Sequence, residues 1–210
     1  MFTPIGKLDQ KEILECWEFA YQKSCKNKTR SVKNDFGSSY LRKDTEIFID
    51  VFGGKLAEYA IAKELNKIYP CRKPNMLVLE TSSCDDGCDL VFNNKIISCK
   101  TSKKNSKLLL LEVSRYNNNG EYLIKGTPVH IDEFIICRVN YIDGLPRIGS
   151  YKNLKSIEYD TPRVLSKEMF KEGIKNNSIM NKGSLLGKIA MRVNNYYFNI
   201  DSLPTINNYY

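Results

Sequence analysis

Two short β-type runs, Asp89 to Phe92 and Lys95 to Cys99, are separated only by Asn93-Asn94. Two residues leave room for little but a tight hairpin, and asparagine tolerates the left-handed conformations that such turns require. The hairpin brings Asp89, at the start of one strand, and Lys100, at the end of the next, to the same edge of a sheet. A carboxylate and an ammonium group placed there suit the task of holding a divalent cation and a water against a phosphate.

The surrounding pattern is that of a mixed sheet flanked by helices, an α/β class. Asp9-Gln10-Lys11-Glu12 is a capping box that predicts a helix to about Lys23, with Ile13, Leu14, Trp17, Ala20 and Tyr21 on its packed side. A second helix is expected from a cap at Asp44 to about Ile68, interrupted or kinked near Gly53-Gly54 and stopped by Pro70. Its apolar stripe is read as Ile47, Val51, Gly54, Ile61, Ala62, Leu65 and Ile68, with Glu58 inside it. A carboxylate on a core-facing stripe is costly unless something pairs with it. It either meets a lysine or a backbone group at the helix edge, or points at a metal site over the sheet.

Further strands are expected at Asn75 to Glu80, Leu108 to Val113, Tyr122 to Ile124 and Phe134 to Tyr141, with turns at Asn117 to Gly120 and Asp143 to Pro146. Ser166 is read as the cap of a helix through Ile174. Lys188 to Val193 and Tyr196 to Ile200 are read as a final hairpin turning at Asn194-Asn195. At 210 residues the chain is expected to form one domain, with a core over about 44–140 and a C-terminal region, 141–210, available for recognition or dimerisation.

The net charge of +8 favours an anionic partner, nucleic acid first. The basic loop Lys23 to Lys33, including Lys28 and Arg30, and the group Lys103, Lys104 and Lys107 are candidate contacts to a phosphate backbone; solvated surface loops are the ordinary alternative. The stretch from Lys182 to Arg192 is a candidate for reading bases. No apolar run of membrane-spanning length and no signal-peptide core occurs, so a soluble cytoplasmic protein with no membrane partner is expected. Seven cysteines at irregular spacing read as reduced thiols, and zinc would require Cys84 and Cys88 to recruit Cys71, Cys99 or the single histidine, His130, without a supporting C-x-x-C pair. There is no phosphate-binding G-x-x-x-x-G-K-[ST] loop and no G-x-S-x-G nucleophile elbow.

Three segments in order, Gly54-Lys55-Leu56-Ala57-Glu58-Tyr59-Ala60, Gly87-Cys88-Asp89-Leu90 and Ser98-Cys99-Lys100-Thr101-Ser102, give the chain its chemical character. With the later run Ile131 to Ile136, this set resembles the PD-(D/E)XK nuclease superfamily over residues 44 to 140. The resemblance implies a restriction-endonuclease-like fold and Mg²⁺, for which Mn²⁺ substitutes, as cofactor. It implies Asp89 as metal ligand and Lys100 as the group that positions the nucleophile. The family's usual pattern has an acid two residues before the lysine, and here that position is Ser98. Glu112 is the first candidate to replace it and Glu58 the second, with Asp85 and Asp86 also within reach.

The expected activity is that of a type II restriction enzyme: hydrolysis of double-stranded DNA at a defined site to a 5′-phosphate and a 3′-hydroxyl, by a homodimer. The alternatives are a structure-selective nuclease (a Holliday-junction resolvase or repair enzyme) and a non-catalytic DNA-binding protein on a decayed nuclease fold. Ser98 is the residue that favours the last.

Overall fold

The computed structural model describes residues 2–26, 43–69, 75–76, 89–124, 126–141 and 148–210. The chain begins with strand β1 (Pro4–Asp9), helix α1 (Gln10–Tyr21), a π-helical turn at Gln22–Lys26 and the long helix α2 (Asp44–Ile68). Strands β2 (Asn75–Met76), β3 (Leu90–Phe92), β4 (Lys95–Lys103), β5 (Leu108–Glu112), β6 (Tyr122–Ile124), β7 (Thr127–Val129) and β8 (Glu133–Val139) follow. The last part comprises β9 (Ser156–Asp160), β10 (Arg163–Ser166), helix α3 (Lys167–Lys175), β11 (Ile179–Met180), β12 (Leu185–Leu186), β13 (Ile189–Ala190), β14 (Asn195–Asn199) and a closing turn of helix, α4 (Ile206–Tyr209).

A mixed sheet of seven strands runs in the order β1-β9-β8-β4-β3-β2, with β10 also pairing with β8. The β4–β8 pair is parallel and the other ladders are antiparallel. The α/β class expected from the sequence is therefore present. Every residue of β8 is buried, as befits a strand covered on both faces. Ile135, Cys137 and Val139 pack into a core shared with α1 and α2, while Phe134 and Ile136 pack into a second core. That second core is closed by Leu109 and Leu111 of β5, Phe170 of α3 and Tyr196 of β14, from a separate three-stranded sheet ordered β11-β14-β5.

Arg138 of β8, 3% exposed, lies between two acids. Its Nε donates to Asp160 Oδ2 at 2.6 Å, one terminal nitrogen donates to Asp201 Oδ1 at 2.6 Å, and the other reaches the Ser106 carbonyl at 3.3 Å. The contacts tie β8 to the end of β9, to the β4–β5 connection and to the turn after β14.

Local capping rules account for several boundaries. The Asp9 carboxylate accepts from Glu12 N at 2.9 Å, and Glu12 returns a bond to Asp9 N at 2.8 Å, opening α1 as expected. Ser166 caps α3 by accepting from Met169 N. Asn93 and Asn94 both have positive φ, 53° and 62°, the requirement of the type I′ turn.

Five expectations are corrected. Helix α2 is continuous through Gly53-Gly54, and Gly53 is needed for close approach: a Cβ there would lie 2.8 Å from the Tyr141 hydroxyl. The N-cap of α2 is Lys43 rather than Asp44, its backbone N–H bonded to Glu46. The apolar face of α2 is wider than one stripe and includes Phe48, Phe52, Leu56 and Ala60, because the helix packs against the sheet and against α1. In α1, Leu14 is exposed, and Cys16 and Phe19 are buried instead. The expected C-terminal hairpin is also rearranged: β13 pairs with β12, whereas β14 pairs with β5 and β11. Pro70, residues 77–80 and the turn at 143–146 lie outside the described residues. Among the described residues no helix is long and apolar enough to cross a membrane.

Candidate active site

The β3–β4 ladder ends at Leu90–Ile97, so Asp89 lies one residue outside it. Asp89 N still donates to Ile97 O, but the backbone of β4 beyond this point has no strand partner in β3. The Asp89 side chain takes that place. Its Oδ2 accepts from Cys99 N at 2.6 Å and from Ser98 Oγ at 3.2 Å. A buried amide that would otherwise lack an acceptor thus fixes the carboxylate at the strand edge.

Lys100 joins the same set through Ser98, its Nζ donating to Ser98 Oγ at 2.7 Å. Ser98 is 1% exposed, so this hydroxyl is a buried bridge that accepts from the ammonium and donates to the carboxylate. The sequence marked Ser98 as a missing acid; its role as a bridge was not visible in it.

Glu58 arrives from α2, which packs on β4 and β8. Its carboxyl is buried and ion-paired with Lys55, one helical turn earlier. Burial raises the Glu58 pKa to about 7, the negative charge of Asp89 adds to the rise, and Lys55 and Lys100 oppose it. These mutual effects place Glu58, Asp89, Lys55 and Lys100 in one electrostatic neighbourhood. Of the two readings of Glu58 held open by the sequence, the structure shows the pairing with a lysine; Asp89 and Lys100 are near enough to act on it electrostatically. Lys55 was missed, although its spacing three residues before a core-facing glutamate is the signal that could have found it.

Glu112 is elsewhere. It ends β5 in the three-stranded sheet, opposite Asn195, and its carboxylate is bonded to the Ser114 hydroxyl and lies 3.9 Å from Arg115 Nε. The structure does not bring it to Asp89 and Lys100. Counting residues beyond the lysine suggested proximity, but β5 has left the central sheet. Lys103, Lys104 and Lys107 are exposed along the end of β4 and the turn into β5, on the chain that leads away from Lys100. Lys28, Arg30, Asp85 and Asp86 lie outside the described residues.

The donor set fits a hard divalent cation. Glu58 and Asp89 offer carboxylate oxygens, and Mg²⁺ is commonly held by one or two such groups with water completing its shell. Among the described residues no cluster of three His, Cys, Asp or Glu side chains occurs. For zinc, Cys71, Cys84 and Cys88 lie outside the described residues. Burial and the charges of Asp89 and Glu58 push the Cys99 thiol up, keeping it protonated, and His130 contacts Asp132 and Lys167.

Glu58 yields a prediction for stability in the absence of divalent cations. Its pKa is raised on folding, so its favourable contribution is full below about pH 4.5 and is lost as pH rises through about 7. Glu58→Gln should therefore gain about 3 kcal/mol relative to wild type between pH 4.5 and pH 8. Urea melts of both proteins in EDTA at the two pH values measure this. A difference that stays constant with pH would refute the buried, acid-facing placement.

Comparison of the chain with protein-family models, with curated proteins and with solved structures finds no match.

Proposed function

We propose that the chain is a Mg²⁺-dependent endonuclease of the PD-(D/E)XK type acting on double-stranded DNA, with the site-specific cleavage of a restriction enzyme. The observation that carries this reading is that Asp89, just before β3, and Lys100, within β4, meet at Ser98, with Glu58 of α2 in the same electrostatic neighbourhood. When bound, Mg²⁺ polarises the scissile phosphate and promotes ionisation of the attacking water.

The chain's own residues do the positioning. Asp89, held by Cys99 N, offers a fixed carboxylate at the phosphate, and Glu58 supplies the second acid in place of the one absent at Ser98. Lys100 orients the nucleophile and offsets charge on the phosphate as it reacts. Ser98 keeps the lysine in register with Asp89. Lys103, Lys104 and Lys107, exposed beyond Lys100, hold the DNA backbone without reading sequence. The homodimer follows as part of the same proposal, since paired sites suit palindromic duplexes.

A second reading has one observation in its favour. With Ser98 in the acid position and Glu112 in another sheet, two carboxylates remain, and a DNA-binding protein without cleavage activity would need none. Digestion of several plasmid and phage DNAs by purified protein, with Mg²⁺ or with EDTA, separates the two. Discrete bands that require the metal are expected. DNA that is retarded on a gel but intact at every metal concentration would overturn the enzymatic proposal.

A further inference from the structure

The two most exposed large apolar side chains among the described residues, Leu185 at 71% and Ile189 at 69%, stand on one hairpin. Strands β12 and β13 pair Leu185 with Ala190 and Leu186 with Ile189, around the two-residue loop Gly187-Lys188. Gly187 has φ 63°, and glycine at the first loop position is the signature of a tight hairpin turn. Backbone bonds continue below the strands: Met191 N to Ser184 O and Gly183 N to Met191 O, each at 2.9 Å. At the base, Lys182 N donates to Asn194 Oδ1 at 2.7 Å. The ribbon is thus an ordered arm, yet Leu185, Leu186, Lys188, Ile189 and Ala190 are all exposed. Burying nothing of its own, it does not contribute to either core.

Its charge says what it fits. From Gly173 to Ile200 there is no carboxylate, while Lys175, Lys182, Lys188 and Arg192 are cationic, in a chain of net charge +8. A second copy meeting this segment with its own arm would bring further cations against it. A duplex supplies phosphates for the lysines and, in its groove, space for a two-stranded ribbon and apolar contact for its side chains. We propose that the ribbon from Lys182 to Arg192 is a DNA groove-entering arm: Lys182 and Lys188 hold phosphates, and Leu185 and Ile189 pack against base edges or wedge between base steps. This rests on the nuclease proposal for its choice of duplex DNA and deepens it by naming the element that engages the groove.

The test measures binding of a labelled random-sequence duplex in EDTA, where cleavage does not intervene, for wild type, Lys182→Gln/Lys188→Gln and Leu185→Ser/Ile189→Ser. All four side chains are on the exposed arm, and matching thermal melts confirm that the variants are folded. The lysine pair should lose about 10-fold or more in affinity, and its slope of log affinity against log salt should shallow by about 2. The apolar pair should lose several-fold with its salt slope unchanged. Wild-type affinity in both variants overturns the inference. So does loss of self-association, or of sedimentation with phosphatidylserine vesicles, at unchanged DNA affinity; those results assign the arm to a subunit contact or a lipid surface. Metal-dependent cleavage by wild type alongside unaffected arm variants leaves the nuclease reading standing and removes only the arm. Absence of any duplex binding or cleavage by wild type overturns both.

Discussion

Asp89→Ala and Lys100→Ala should each reduce Mg²⁺-dependent DNA cleavage by roughly 10³-fold or more while leaving the protein folded. Asp89 contributes one of two carboxylates in the set, and its loss halves the protein charge available to a divalent cation. It also frees Cys99 N and Ser98 Oγ, both of which donate to it. Asp89→Asn is the sharper variant, because the amide oxygen can still accept from Cys99 N while the charge is gone. Lys100→Ala removes the ammonium but leaves both acids in place, so metal affinity should hold or rise as cleavage falls. Titration with Mn²⁺ followed by cleavage assays at saturating metal separates these effects. Asp89 variants are expected to lose metal affinity, and Lys100→Ala to retain it. Cleavage by Lys100→Ala within a few-fold of wild type at saturating metal would eliminate the assigned role of the lysine.

Those two residues could be read from sequence because the information that places them is local. A two-residue Asn-Asn loop permits one register, and that register sets Asp89 beside Ser98 and Cys99, next to Lys100 in a strand that runs on to Lys103. Glu58 was legible for a different reason: an acid among apolar residues at helical spacing needs a partner. Lys55 and the Ser98 bridge were harder, since a lysine one turn away and a serine in a strand both have common surface roles. Glu112 failed because residue count along the chain says nothing about the sheet a strand joins. The same limit explains β14. Its apolar residues declared a strand, but its pairing with β5 and β11 is a long-range choice set by packing around Phe170 and Tyr196. Strands β1, β9 and β10 went unread because short runs that include charged residues carry little periodic signal, yet they complete the central sheet. Glycine misled in α2, where its service is to admit the Tyr141 ring rather than to bend the helix.

Arg138→Ala should be the most damaging substitution to stability, costing about 3–5 kcal/mol. Arg138 and Asp160 are 3% and 4% exposed, so neither charge has water to replace its partner. Burial already raises the Asp160 carboxyl above its usual range, with the Arg138 guanidinium opposing that rise. Removing the guanidinium leaves only the Arg138 backbone N–H and the more distant charge of Arg163 to oppose desolvation, and the folded-state pKa of Asp160 climbs further. A carboxyl raised in the folded state is favourable at low pH and loses that contribution as pH increases through its folded value. The deficit of Arg138→Ala should therefore be larger at pH 7.5 than at pH 5, where Asp160 can take a proton. Asp201, at the edge of the pair, keeps access to solvent and should contribute less. Arg138→Met/Asp160→Asn removes both charges while retaining most of the packed volume, and it should recover much of the loss. Urea melts of the single and double variants at both pH values measure the coupling. A single variant within 1 kcal/mol of wild type at pH 7.5 would show that the guanidinium is not what holds the strand β8, the end of β9 and the turn after β14 together.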